Sequence, residues 1–539
     1  MNTIGEMTDA SSAKSAASAQ SGRVLPPAKA KSPSWVRWIL PSISDVFFLV
    51  LFGILGFSPM SVALLGDADT GWHIRNGEII MATHSVPRID SFSYTKAGQP
   101  WYAWEWLYDV FIGAVHHVAG LNGVVLFTAF VIALTFALLF RFVLRRSGSF
   151  AVATLLTLLA VSAAQVHMLA RPHVLSWLFT LLWVEALYRF EEGQRAALYV
   201  LPGLMLLWVN LHGGFVLGLV LIGVFGCAHL WNYQFHRDAA HRSQIIQLSV
   251  AFCGSLVVTF LTPYGYKLHW HVYQYLSNHF LMDSINEFRS PNFHAVGYGY
   301  FESLILLTVL GLVLARKRVT VTDLFLLLFS IHAALYAARN IPISAIMMSL
   351  SLGPVLAGVV SPQLSQPEWM RSLLDSVQGI STNMGEMEKH FRGHALAIAL
   401  VVASALIALN GGRLLSSQVI SAHFNEKEFP VAAAEFIAAN GIHDHMFNPD
   451  DWSGYLIYRL YPGTKLYFDD RHDFYGEAFI KEYEKASNGT HAWREPLDKY
   501  QVKWVLSAVD SPLSSVLRES KDWQVAYADG LAIIFSRVQ

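Results

Sequence analysis

The chain has 539 residues, of which 54% are hydrophobic and only 14% charged, with a net charge of -1. Soluble domains carry about 25% charged residues, and a mean hydropathy of +0.39 is more than a soluble globule of this size can bury. The charge balance gives no basis for a nucleic-acid partner. Cys227 and Cys253 fall inside apolar runs and read as small buried hydrophobes rather than as disulfide or metal ligands.

In chain order, residues 1–38 are expected to be a disordered cytoplasmic tail: positions 1–33 are rich in Ser, Ala and Lys and lack the apolar core of a cleavable signal peptide. Residues 39–415 read as a transmembrane region. A spanning helix needs about 20 mostly apolar residues, and Val46–Leu65 fits with no charge. Further spans are expected at 121–140, 150–167, 173–190, 196–211, 214–235, 245–261, 299–315, 322–338, 341–360 and 394–410, about eleven in all. Segment 105–119 is apolar but brief and carries two acids, so it is expected as an interfacial helix at the end of a first outer loop, 66–120. From 420 to 539 hydrophobicity falls and an α/β soluble domain is expected. Its elements are helices at 430–440, 452–461 and 475–487, strands at 445–448, 465–469 and 502–508, and a hairpin around Asp529-Gly530. The fold class is thus a polytopic α-helical membrane protein with a C-terminal α/β domain.

The basic residues orient this arrangement. With Lys29, Lys31 and Arg37 in the cytoplasm, the inner turns carry Arg141/Arg145/Arg146, Arg189/Arg195, Arg237/Arg242, Arg316/Lys317/Arg318 and Lys389/Arg392. Making 105–119 a separate span would invert every later turn. The outer turns are GDADTGWHIR (66–75), ARPH (170–173), NLHGG (210–214), LTPYG (261–265), NEFRSP (286–291) and ARNIP (338–342). The inner turns read as topology signals, whereas the outer turns gather acids, histidines, asparagines and arginines and read as a site.

Asp67 and Asp69 follow the first helix directly, with Trp72, His73 and Arg75 behind them. Two carboxylates at a membrane surface suit general-base work or a divalent cation such as Mg or Mn. An Asp-x-Asp alone is more often a helix cap beside a solvated acid; the polar outer turns around this pair favour function.

The acidic run Asp67–Arg75, with Pro87, Asp90, Phe92, Ser93, Trp101 and Glu105-Trp106-Leu107, resembles the GT-C superfamily of membrane glycosyltransferases. It is similar to the first-loop motif of oligosaccharyltransferase catalytic subunits and to bacterial proteins of the O-mannosyltransferase type. Asp451-Trp452-Ser453-Gly454-Tyr455, followed by Asp469-Asp470-Arg471, is similar to the oligosaccharyltransferase Trp-Trp-Asp-Tyr-Gly motif. The first Trp and the Asp after Trp452 are missing, so the resemblance does not carry over recognition of an Asn-x-Ser/Thr peptide.

The resemblance implies an inverting hexosyl- or pentosyltransferase with a polyprenyl-phosphate sugar donor and an envelope glycan, lipid or protein acceptor. It implies catalytic roles for Asp67, Asp69 and Glu105, with Asp67 and Asp69 also the candidates for metal. Arg171, Arg339 and Arg75 are candidates for the donor phosphate, since arginine binds phosphate bidentately. His73, His173, Asn210, His212, Glu287, Asn340, Trp452 and Tyr455 are candidates for substrate binding. Asp67, Asp69, Glu105, Arg171, His212 and Arg339 are expected to line one outer-face cavity. The localisation implied is a bacterial cytoplasmic membrane, with the N-terminus cytoplasmic and the C-terminal domain extracytoplasmic. The alternatives are a glycan ligase or polymerase, and a transporter or flippase. A transporter predicts mid-membrane polar residues and paired repeats, but this chain has no evident repeat and its polar clusters lie at one face.

Overall fold

A computed structural model describes residues 36–315, 319–361, 367–391 and 394–538. The expected tail through residue 35, Arg316/Lys317/Arg318 and Arg392 lie outside the described residues.

Helix α1, Ile43–Phe57, opens on a capping box between Ser42 and Asp45. It stops earlier than expected, because Pro59 cannot continue the ladder and holds Ser58 extended; Met60–Ala63 is a separate short helix. Helix α2, Asp69–Thr83, fills the first half of the outer loop. The long α3, Trp106–Ser147, merges the expected interfacial segment with the next span, broken only at Gly120 (φ 59°, ψ -158°).

Around α3 pack α1, α2, α4 (Phe150–Ala164), α5 (His173–Glu191), α6 (Val200–Leu211) and α12 (Ile341–Val359). The bundle continues through α7 (Val216–His236), α8 (Ala239–Val258), a polar-faced α9 (Tyr266–Leu276), α10 (Gly299–Leu314) and α11 (Val321–Tyr336). An unexpected amphipathic α13, Glu368–His390, precedes α14, His394–Leu409.

Each expected span has a helix at its place, but the count of about eleven crossings is too fine. Among the described residues five helices are long and apolar enough to cross a membrane, or six if the bent pair α13–α14 is one span; the segments 195–211, 299–314 and 321–336 are apolar but shorter. Cys227 and Cys253 are free and exposed, not buried. A helix face that meets lipid can be apolar without being covered by protein.

Four of the arginines expected at inner turns, Arg141, Arg145, Arg146 and Arg189, are ion-paired. Arg145 bridges Glu185 (3.0 Å) and Glu192 (2.6 Å), and Arg146 meets Asp323 (3.2 Å) and lies over the Tyr188 ring.

The C-terminal region carries α15 (Val431–Ala439), α16 (Ser453–Leu460) and α17 (Glu477–Ser487) around a four-stranded sheet. The strands are β1 (Met446–Phe447), β2 (Trp504–Ala508), β3 (Trp523–Ala528) and β4 (Ala532–Arg537), in the order β1-β2-β4-β3. β1 and β2 are parallel, and β3–β4 is the expected hairpin, with Asp529 accepting from the amides of Leu531 and Ala532. The expected strand 465–469 forms only bridges at Leu466, to Ser93 and Met446. Beyond it the Asn448 side chain takes over, accepting from Tyr467 N (3.0 Å) and donating to Phe468 O (2.9 Å), so no ladder is needed.

Two features hold the loop after α2 against the C-terminal region. Leu466 exchanges backbone hydrogen bonds with Phe92 and Tyr94. Buried Arg471 grips Asp469 through two bonds of 2.7 Å and Asp90 at 2.7 Å, with its guanidinium 4.5 Å from the Trp101 ring centroid.

Candidate active site

The site begins with a turn. Asp67 Oδ1 accepts from the backbone N–H of Asp69 (2.8 Å), which starts α2. The turn is fixed through Ala170: its N–H donates to Leu64 O (2.7 Å), and its carbonyl accepts from the hydroxyls of Thr70 (3.0 Å) and Tyr108 (3.1 Å). Residue 171 therefore has to emerge beside the two acids. Arg171 lies between them, with Nη1 2.9 Å from Asp67 Oδ2 and Nη2 2.5 Å from Asp69 Oδ2.

The network extends to two further turns, around Glu287 and Arg339. Glu287 lies 3.8 Å from Arg171 Nη1 and 3.2 Å from Arg339 Nη1, and His167 Nε2 approaches it at 3.4 Å. Ala338 N donates to Arg289 O (2.9 Å), tying those two turns together. Burial raises the Asp69 carboxyl, but Arg171 and hydrogen bonds from Asp470 and Trp72 outweigh it and hold it at about 2. For Asp67 burial wins over Arg171, and the carboxyl is pushed up. Glu287 is lowered, because Arg339 and Arg171 outweigh its burial.

Glu105 is a separate kind of carboxylate. Its neighbours are loose: His212 Nε2 at 3.5 Å, Gly213 N at 3.5 Å and His73 Nε2 at 3.7 Å. Burial pushes it up to about 7, against the pull of His73. His73 is held from behind by Asp109, whose oxygens lie 2.6 Å from His73 Nδ1 and 2.6 Å from Asn76 Nδ2. Burial opposes charge on His73, but the Asp109 carboxylate outweighs it and raises the imidazole. His212 is turned by Gly214 N, which donates to its Nδ1 (3.1 Å), with Ser176 Oγ on the same nitrogen at 2.6 Å. Nδ1 is thus the acceptor, so the proton of a neutral imidazole sits on Nε2, facing Glu105.

The C-terminal region closes the third side. A Cβ on Gly71 would overlap the Gly454 carbonyl, and one on Gly454 would overlap that of Ala68, so only glycine at both positions lets α16 reach the Asp67–Asp69 turn. This brings the Asp470 carboxyl to Asp69. Burial and the Asp69 charge keep it well above the usual carboxylate range. Next to it His472 Nε2 contacts Asp450 Oδ2 (2.7 Å).

Of the residues singled out in the sequence, Asp67, Asp69, His73, Glu105, Arg171, His212, Glu287 and Arg339 come together. They share one polar network, with Arg171 and Arg339 on Asp67, Asp69 and Glu287, and with His73 and His212 beside Glu105. The other candidates have structural partners. Arg75 donates to Tyr458 O (2.7 Å) and pairs with Glu78 (2.6 Å), bracing α2 against α16. His173 Nε2 contacts His167 O (2.8 Å). Asn210 bonds the Leu206 and Leu261 carbonyls and accepts from Trp106 Nε1 (2.9 Å), and Asn340 donates to Ala333 O (3.0 Å). Trp452 is buried and donates to Glu428 O (3.0 Å), and Tyr455 is buried against Phe424 and Phe429. Asp109 and His167 were not anticipated. Asp109 was legible only as an acid interrupting an apolar helix.

Asp67 and Asp69 do not fit a shared divalent cation, because the Arg171 guanidinium occupies the space between their oxygens. Among the described residues no group of three or more His, Cys, Asp or Glu is arranged to hold a metal ion.

No protein-family model and no curated protein matches this sequence. Solved structures do match. The crystal structure of the Archaeoglobus fulgidus oligosaccharyltransferase in the apo form superposes with a TM-score of 0.55 at 12% identity, covering 87% of this chain and 69% of that one. The same enzyme tethered to an acceptor peptide containing the NVT sequon gives 0.55 at 11%, covering 92% and 74%. The archaeal oligosaccharyltransferase AglB from Archaeoglobus fulgidus, in complex with an inhibitory peptide and a dolichol-phosphate, gives 0.54 at 10%, covering 87% and 69%. The chain therefore shares the overall fold of these archaeal structures.

Proposed function

We propose that this protein is a membrane glycosyltransferase that moves a sugar from a polyprenyl-phosphate donor to an envelope glycan, lipid or protein. The observation that carries the reading is the ion network Asp67–Arg171–Asp69 and Arg171–Glu287–Arg339, assembled from four separate turns at one end of the bundle. A fold shared with an oligosaccharyltransferase supports it. The orientation that fits is a bacterial cytoplasmic membrane with the N-terminus inside and residues 420–539 covering the site outside.

In this reading the acceptor oxygen forms a bond to the anomeric carbon while the bond from that carbon to the donor phosphate oxygen breaks, inverting the centre. The acceptor proton passes to a carboxylate. Glu105 suits that role: a carboxyl near 7 is matched to neutral pH, and no guanidinium clasps it. Asp69, ionised throughout the working range, stabilises positive charge developing at the sugar. Arg339, released from Glu287, and Arg171 receive the leaving lipid phosphate.

The test is glycan and glycolipid mass spectrometry of envelopes from a deletion strain complemented with wild type, Asp69→Asn or Glu105→Gln. The expected result is a sugar increment that returns with wild type and not with either variant. Full restoration by both variants would make the network structural and end the transferase reading.

A further inference from the structure

A cavity of about 510 Å³ opens next to the ion network, where three distant stretches of chain meet. The first outer loop supplies Trp101, Tyr102 and Trp104, one face of α9 supplies Tyr266, Lys267, Trp270, His271 and Gln274, and the C-terminal region supplies Asp473 and Phe474. The α9 residues follow the helical repeat, so a single face of that helix is turned to the cavity.

The walls are built rather than incidental. The Trp104 ring stacks on His271 (centroids 4.1 Å apart), and His271 Nε2 faces Asp473 Oδ2 at 3.5 Å. Lys267 Nζ donates to the Tyr102 hydroxyl (3.1 Å). Tyr264 braces the loop from behind, accepting from Ala103 N (2.9 Å) and donating to Pro87 O (2.8 Å). Trp270 is 58% exposed, so a large apolar face is left open at the rim. Two side chains connect the cavity wall to Asp69: Trp101 packs edge-on against Trp72 (6.3 Å), and Trp72 Nε1 donates to Asp69 (3.3 Å).

We infer that this cavity is a saccharide subsite that binds an uncharged pyranose ring; the inference deepens the transferase reading and rests on it for the identity of the sugar as acceptor. A pyranose has an apolar C–H face that packs on an aromatic ring and a rim of hydroxyls that both donate and accept. The lining offers both halves: aromatic faces at Trp104, Tyr102 and Trp270, and polar groups of both kinds at Lys267, His271, Gln274 and Asp473. An acyl chain would offer no hydrogen-bonding group to Gln274 or to the Lys267–Tyr102 and His271–Asp473 pairs. An anion would meet Asp473, and a cation would meet Lys267. A neutral, hydroxyl-rich ring satisfies all of them.

The experiment is saturation-transfer NMR on the full chain in lipid nanodiscs free of glycoside detergents. The probes are methyl pyranosides of glucose, galactose, mannose and N-acetylglucosamine. At least one is expected to bind to wild type and to Asp69→Asn, and to bind about tenfold more weakly to Trp270→Ala and Gln274→Ala. Trp270 and Gln274 lie on the open face of α9, and unchanged thermal midpoints for these variants separate lost binding from lost folding. Absence of pyranoside binding to wild type, or binding unaffected by both α9 variants, overturns the subsite. Binding that depends on Trp270 in a protein with no transfer activity keeps the subsite and removes the transferase reading instead.

Discussion

Replacing Arg171 with Ala gives a direct measure of how the acidic turn is held. In the native protein Asp69 sits at about 2 instead of 3.8 despite its burial, with Arg171 the largest favourable influence. That difference of about 1.8 units corresponds to roughly 2.5 kcal/mol of stabilisation by the charged form. The sign follows from the depression: the contribution is fully present above pH 3.8 and is lost as pH falls through about 2. Without Arg171, whose side chain is only 20% exposed, the half-buried Asp67 and Asp69 become neighbours with no clasping cation. Breaking a fully buried pair costs about 3–5 kcal/mol, and for this half-buried one a loss at the lower end, about 3 kcal/mol, is expected. At about pH 5 the two carboxyls can escape by taking up protons, so the loss relative to wild type should shrink to roughly half its value at about pH 7.5. Thermal unfolding in nanodiscs at the two pH values measures this. Opening the turn also leaves Asp67 and Asp69 free to bind Mn²⁺, read as a Mn²⁺-dependent rise in the midpoint of Arg171→Ala and none in wild type. An equal loss at both pH values, or a wild-type midpoint that rises with Mn²⁺ as far as the variant's, would refute the reasoning.

Other perturbations probe the rest of the architecture. Glu105 is raised from 4.5 to about 7, so the folded protein holds a proton between those values and stability falls as pH rises through that window. Glu105→Gln should abolish this slope and gain at most about 3 kcal/mol above neutrality in thermal unfolding; an unchanged slope would deny the shift. Gly71→Ala forces a methyl group into the Gly454 carbonyl, and a cost of about 3 kcal/mol is expected, with faster hydrogen exchange in α2 and α16. Asp90→Asn removes one of the two carboxylates that hold buried Arg471. Limited proteolysis should then cut the 85–100 stretch faster while the α3–α12 bundle remains intact, at a cost of about 3 kcal/mol.

The places of the helices, the one-sided clustering of polar turns and the first-loop acids could be read from the sequence, because apolar runs and Arg/Lys bias are local properties that lipid enforces directly. The β3–β4 hairpin was equally local, set by Asp529-Gly530. Other features depended on partners distant in the chain. Asp67 and Asp69 looked like chelating acids until Arg171, about a hundred residues later, was found between them. Arg75 looked like a phosphate ligand until Tyr458 O claimed it. Lys465–Asp469 looked like a strand until the Asn448 side chain satisfied its backbone. Gly71 and Gly454 carried no local signal of their meeting, yet their close approach is what delivers Asp470 to Asp69. Sequence by itself determined which segments are apolar and which ends are polar, since those follow from transfer free energies of single residues. Only the tertiary structure decided which charge neutralises which, because the ionisation of a buried group depends on neighbours supplied by other turns of the chain.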